Sequence, residues 1–109
     1  MEFWIMDADN LGPISITRTP EDVMVIAASV HSNKLPLVNG RRIGKVVPVG
    51  RQASDFRLVA DTAVILATNH ISRDSILRVY TGDKGLANGI RMLALQHQIT
   101  FKWHKRYNM

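Results

Sequence analysis

Phe3-Trp4-Ile5-Met6-Asp7-Ala8-Asp9-Asn10 is the stretch on which the fold turns. Phe3 to Met6 form a short apolar run of the kind that makes a buried strand, and the run ends abruptly in two aspartates and an asparagine. Carboxylates at the carboxyl end of a strand face the crevice where open α/β sheets place their sites. Two other stretches bring an aspartate to an expected boundary between elements: Ser54-Asp55-Phe56-Arg57-Leu58 and Tyr80-Thr81-Gly82-Asp83-Lys84-Gly85. The expectation is that Asp7, Asp55 and Asp83 converge. Hard oxygen donors of this type suit Mg²⁺ or Mn²⁺, which take one or two direct carboxylates and keep several waters.

Outward from that stretch, Leu11-Gly12-Pro13 reads as a loop, because Gly frees the backbone and Pro withholds a donor. Ile14 to Pro20 has no clear period and reads as an irregular crossover. Val23 to Ala28 is a continuous apolar run, read as a second buried strand with a short helix as the alternative. His31 to Ile43, with Asn33, Pro36, Asn39 and Gly40, reads as a loop or a broken helix. Val46 to Val49 is a third strand, placed at a sheet edge or strand end by Pro48. Asp55 to Ala67 is the clearest helix, with Ser54 as its expected cap and Phe56, Val59, Ala60, Ala63 and Leu66 along one apolar stripe. Asp55 falls in the first turn, where the helix dipole favours a carboxylate. Asp61 lies about 120° around the helix from it and is expected to pair with Arg57 instead. Ile76 to Tyr80 reads as the fourth strand, Leu86 to Gln96 as a helix with Leu86, Ile90, Leu93 and Ala94 inward, and Ile99 to Trp103 as a last strand. Strand alternates with helix, so the sheet is expected to be largely parallel with four to five strands.

Composition sets the outer bounds. With 109 residues the chain is one domain, 1–109, ending in a basic tail over about 104–109. No apolar run reaches the length of a membrane span, and the opening apolar residues are too few for a signal peptide. The absence of cysteine excludes disulfides and thiolate metal sites and fits a cytoplasmic protein. Fourteen Lys and Arg against nine Asp and Glu give a net charge of +5, which favours polyanionic partners such as nucleic acid. Arg41, Arg42, Lys45 and Arg51 form an expected phosphate track, with Arg57 beside it, giving affinity without sequence choice. Lys102, His104, Lys105 and Arg106 with Trp103 and Tyr107 form a basic-aromatic cluster able to stack bases. His31, His70, His97 and His104 show no metal spacing. Homodimerisation is open, since small α/β domains often leave an apolar edge exposed.

Asp-Ala-Asp-Asn, then Ala53-Ser54-Asp55-Phe56-Arg57-Leu58, then Thr81-Gly82-Asp83-Lys84-Gly85 resemble, in that order, the PIN-like nucleases, including their NYN branch. The resemblance spans Phe3 to Trp103. It implies an α/β, PIN-like (Rossmann-like) three-layer domain with a mostly parallel sheet. It also implies a metal-dependent nuclease, RNA before DNA, using Mg²⁺ or Mn²⁺. Carried over by position, Asp7, Asp55 and Asp83 are catalytic, metal-binding acids, with Asp9 as an additional candidate. Asn10 is a site-orienting amide and Thr81 a polar neighbour; apart from the resemblance, Lys84, adjacent to Asp83, is a phosphate contact or the acid's partner. The family often has a fourth acid where this chain has Gly85, so Asp9 or Asp61 would have to substitute. Asp7-x-Asp9 with Gly82-Asp83 also resembles a haloacid-dehalogenase-type phosphatase, in which the first Asp is a nucleophile and the second a general acid. A phospho-receiver domain is a weaker parallel, because the Lys expected after its last strand has no counterpart. A module that keeps the fold with an eroded site, binding nucleic acid or protein, is the non-enzymatic alternative.

Overall fold

The structure is a computed structural model and describes residues 1–107 except Arg18, Arg51 and His70. Its frame is a five-stranded sheet built from β1 (Glu2–Asp7), β3 (Val23–Ser29), β6 (Lys45–Val46), β7 (Ile76–Tyr80) and β8 (Thr100–His104). The spatial order is β6-β3-β1-β7-β8, and every ladder is parallel. Counted along the chain this is third-second-first-fourth-fifth, so the order reverses beside β1, between it and β7. That reversal is the topological switch point at which open α/β sheets place their ligands.

The strands form where the apolar runs foretell them, and their alternation divides the core in two. Phe3, Ile5, Ile26, Ala28, Leu77 and Val79 point to one face, which is covered by α2 (Ala53–Thr68) and α3 (Lys84–His97). Trp4, Met6, Ala27 and Tyr80 point to the other face. No long helix covers that side among the described residues. A three-stranded sheet of β2 (Ser15–Ile16), β4 (Leu37–Val38) and β5 (Arg41–Arg42) does so instead, adding Ile14, Ile16, Leu35 and Val38 to the core. The short helix α1 (Ala8–Leu11) bridges β1 to this lobe. Thus the irregular crossover and the loop expected on either side of β3 each contain strand: Leu37 and Val38 find partners on both sides, in β2 and β5. Gly44 is needed at the return to the main sheet. Its φ is +122°, and a Cβ there would sit 2.5 Å from the Ala27 carbonyl oxygen.

Three local expectations change. The third strand is only Lys45–Val46 and stops short of Pro48, which cannot donate to a ladder. Ser54 does not cap α2; Gln52 holds that position in the left-handed region, and no side chain caps the helix. The buried side of α2 is Ser54, Leu58, Thr62 and Leu66, so Phe56 and Ala60 lie outside, Phe56 at 68% exposure. Leu66 is buried as expected; Leu58 gives α2 an alternative apolar edge toward its N-terminal half, and packing against β3 and β1 selects it. α3 follows its expected face, with Leu86, Ala87, Ile90 and Ala94 buried and Leu93 partly so. No helix is long and apolar enough to cross a membrane among the described residues.

Candidate functional site

In-register parallel pairing sets the carboxyl edge of the sheet. Asp7 is level with Ala28 of β3, and Met6 with Tyr80 of β7, so Asp7 and Thr81 emerge side by side and Ser29 follows one residue beyond. Asp7 is buried, at 3% exposure, and accepts a hydrogen bond of 2.7 Å from Thr81 Oγ1. The same hydroxyl accepts from the Asp83 backbone N–H at 2.9 Å. Thr81 is fully buried and ties the end of β1 to the start of α3. Asp83 caps α3: its Oδ1 accepts from the N–H groups of Gly85, at 2.8 Å, and Leu86, at 3.2 Å. Asn10 Oδ1 accepts from the Gly82 N–H at 3.2 Å. That approach relies on glycine, since a Cβ on Gly82 would stand 2.9 Å from the amide oxygen.

Asp7, Asp9, Asn10, Asp55 and Asp83 line one crevice of about 340 Å³, so four of the nine acidic residues meet in a chain of net positive charge. Lys34 is the one cation lining it among the described residues. The electrostatics follow. Burial raises the Asp7 carboxyl above its usual range, the Thr81 hydrogen bond opposes that rise, and the charges of Asp9 and Asp83 add to it. Asp55 is pushed up to about 6, first by burial and then by the charge of Asp7. Hydrogen bonding with the Asp83 carboxyl and the charges of Asp83 and Asp9 contribute further. Asp9 goes the opposite way. Burial works to raise it, but hydrogen bonds from Ser29 Oγ, Ser54 Oγ (2.6 Å) and the Val30 N–H, with the charge of Lys34, hold it below the ordinary value.

These carboxylates repel one another, and a hard divalent cation is the species that would relieve the repulsion. Among the described residues no three Asp, Glu or His side chains are drawn tightly enough together to enclose an ion as they stand. Mg²⁺ does not demand such a cage, since it keeps several waters and takes one or two carboxylates. Asp7, Asp55 and Asp83 carry hard oxygen donors of the type such an ion takes. Asp9 is turned to its two serines.

Asp7, Asp9, Asn10, Asp55, Thr81 and Asp83 therefore come together, as their positions at element boundaries suggest. Asp61 lies outside the crevice and forms an ion pair of 2.9 Å with Arg57, as the spacing of four residues implies. That pairing removes Arg57 from a free phosphate track. Arg42 donates to the Leu35 carbonyl at 2.7 Å and so braces the small lobe. Arg41 and Lys45 are exposed, and Arg51 lies outside the described residues. Lys84 makes no ion pair with Asp83 among the described residues; it lines a separate groove between α3 and β8. The basic-aromatic cluster is divided by strand alternation. Trp103 lies on the helical side, while His104 stacks on Tyr80 with centroids 4.7 Å apart on the other. Tyr107 packs edge-on against Tyr80, so the segment after β8 returns to the sheet.

Ser29, His31 and Lys34 also belong to the crevice and carry no motif in the sequence, and Ser54, expected as a cap, joins them through Asp9. Ser29 had one usable signal: it ends β3 as Asp7 ends β1, and parallel neighbours share an edge. A more apolar cavity of about 410 Å³ lies elsewhere, between β3 and α2, and its one acid is the paired Asp61. No protein-family model, curated protein or solved structure matches this chain.

Proposed function

We propose that the chain is a divalent-metal-dependent nuclease of the PIN-like type its motifs resemble, an endonuclease acting on RNA before DNA in the cytoplasm. One observation carries the reading: four carboxylates line a single crevice at the switch point of a parallel sheet, in a protein of charge +5. Like charges gathered in a half-buried crevice destabilise the fold, and a bound cation would offset that cost.

Asp7, Asp55 and Asp83 would hold Mg²⁺ or Mn²⁺, which when bound supplies an activated water and stabilises charge on the leaving oxygen. The chain's own residues prepare the place. Thr81 fixes the Asp7 carboxylate and, through the Asp83 N–H, the entry to α3. Asn10 locks the Gly82 turn onto α1, holding the floor of the crevice still. Ser29 and Ser54 draw Asp9 to one wall, which leaves the centre to the other three acids. The state of Asp9 also weighs against the phosphatase reading, since a carboxyl held below its usual value is a poor general acid.

The test is cleavage of labelled single-stranded RNA and DNA with Mn²⁺, Mg²⁺ or chelator, for the native chain and Asp7→Asn. Metal-dependent cleavage lost in a folded variant supports the reading, and its absence with every metal sinks it. The eroded binding module has its own support: Asp83 already serves as a helix cap, and Gly85 stands where a fourth acid is expected. Divalent-ion affinity separates the two, because an eroded site loses it. Phe56, Val64, Met92 and Leu95, all exposed on the helices, support a homodimer, which sedimentation would test.

A further inference from the structure

A groove of about 470 Å³ runs between α3 and β8, outside the acid crevice. Its lining includes Lys84, Asn88 and Arg91 on one wall and Phe101 and Trp103 on the other, and among the described residues it includes no acid. Lys84, Asn88 and Arg91 follow one another at four and three residues, so they form a single polar ridge along α3. Neither Lys84 nor Arg91 is in an ion pair among the described residues. Trp103 is 37% exposed, and Lys105 Nζ stands 5.8 Å from its ring centroid. The indole is not free to swing: its Nε1–H donates to the Thr81 carbonyl at 2.8 Å. Thr81 is the residue whose hydroxyl holds Asp7. The aromatic face and the acid crevice are thus joined through one buried residue.

We infer that this groove is the track of a single-stranded nucleic acid, with a base stacked on Trp103 and phosphates against Lys84, Arg91 and Lys105. The chemistry selects the occupant. A cationic wall without acids matches a polyanion, and an oriented indole beside it matches an unpaired base, whose π-face stacks without sequence choice. A duplex keeps its bases stacked inside and offers nothing to Trp103. An acidic peptide would match the cations and leave the indole unused. The inference deepens the nuclease reading and rests on it only for the direction of the strand, from Trp103 past Lys84 to the crevice. Binding stands apart from cleavage.

The experiment uses the whole chain in chelator, so that no cleavage intervenes, and follows anisotropy of a labelled single-stranded RNA across a range of salt. Arg91→Ala and Lys84→Ala, both at exposed positions, should each weaken binding and reduce the salt slope by about 1. Trp103→Ala should weaken it by about 5- to 100-fold, and Trp103→Phe should restore most of the loss because a smaller ring still stacks. In a Trp4→Phe background, RNA should quench the emission of Trp103, while poly-glutamate of equal charge should not. Unchanged affinity and salt slope in Arg91→Ala and Lys84→Ala would overturn the inference, as would equal displacement by duplex or by poly-glutamate. A protein that binds in this way yet cleaves with no metal would refute the nuclease reading alone. One that cleaves with unchanged KM in Arg91→Ala and Trp103→Ala would refute the track alone.

Discussion

Replacing Asp55 by Asn should stabilise the metal-free protein at neutral pH while removing its response to divalent ions. The carboxyl is raised from 3.8 to about 6, chiefly by burial and then by the charges and hydrogen bond of its acidic neighbours. A change of that size would be worth ~3 kcal/mol in a fully buried site. Asp55 is only part-buried, and solvent screening reduces the penalty to about 1–2 kcal/mol. Against this, Asn forfeits the attraction of an ionised first-turn residue to the helix dipole, about 0.3–1 kcal/mol. Repulsion wins, leaving a net gain of about 1 kcal/mol, or a rise of roughly 4 °C in Tm for a domain of this size. The pH dependence has a definite sign. The folded state holds this proton more tightly than the unfolded state does, so on this account native stability falls as pH rises from about 4 to about 6. Asn has no such proton, so the variant's advantage should be absent below pH 4 and complete above pH 6. Thermal melts at pH 3.5 and pH 8 in chelator would measure it. Excess Mn²⁺ at 100-fold its Kd would then raise the native Tm by the equivalent of about 2.7 kcal/mol and leave Asp55→Asn nearly unmoved. Destabilisation of the variant at pH 8 would refute the electrostatic reasoning. Equal metal stabilisation of both proteins would remove Asp55 from the ion site.

Other substitutions probe separate parts of the frame. Asp9→Asn should cost about 1 kcal/mol at pH 7, because a carboxylate held below its usual value by Ser29 and Ser54 loses charge-assisted bonds. Since that stability is present above the unfolded pKa and lost as pH falls through the lower folded one, the difference in Tm between the two proteins should shrink as pH is lowered below the ordinary carboxylate range. Thr62→Val should stabilise by about 1 kcal/mol, since Thr62 Oγ1 is buried without a partner among the described residues and Val has nearly its shape; a drop in Tm would show that the hydroxyl has a partner after all. Gly82→Ala should push the Asn10 amide aside and reduce cleavage at least tenfold, with a stability loss of about 1–2 kcal/mol by denaturant melts. Unchanged cleavage would show that Asn10 does not organise the site.

The sequence by itself determined most of the main sheet and both long helices. The runs Phe3–Met6, Val23–Ala28 and Ile76–Tyr80 are too apolar and too short to be anything but buried elements, and alternation with helix dictated parallel pairing. It also placed Asp7 and Asp83 at their boundaries and paired Arg57 with Asp61, because caps and four-residue helix contacts are local rules. Tertiary structure decided what local rules leave degenerate. α2 carries two candidate apolar edges that share Leu66, and only the sheet beneath it chose Leu58 over Phe56 and Ala60. The small lobe depends on pairing between segments whose two-residue strands give no period to read. Ser54 looked like a cap from its neighbours, yet its partner is Asp9, 45 residues away. The same holds for the site. Its acids are visible as residues at ends of elements, but a carboxylate's charge state and partners depend on which other ends reach the same edge. That depends on sheet order and register, which are properties of the closed fold and of no stretch of chain taken alone.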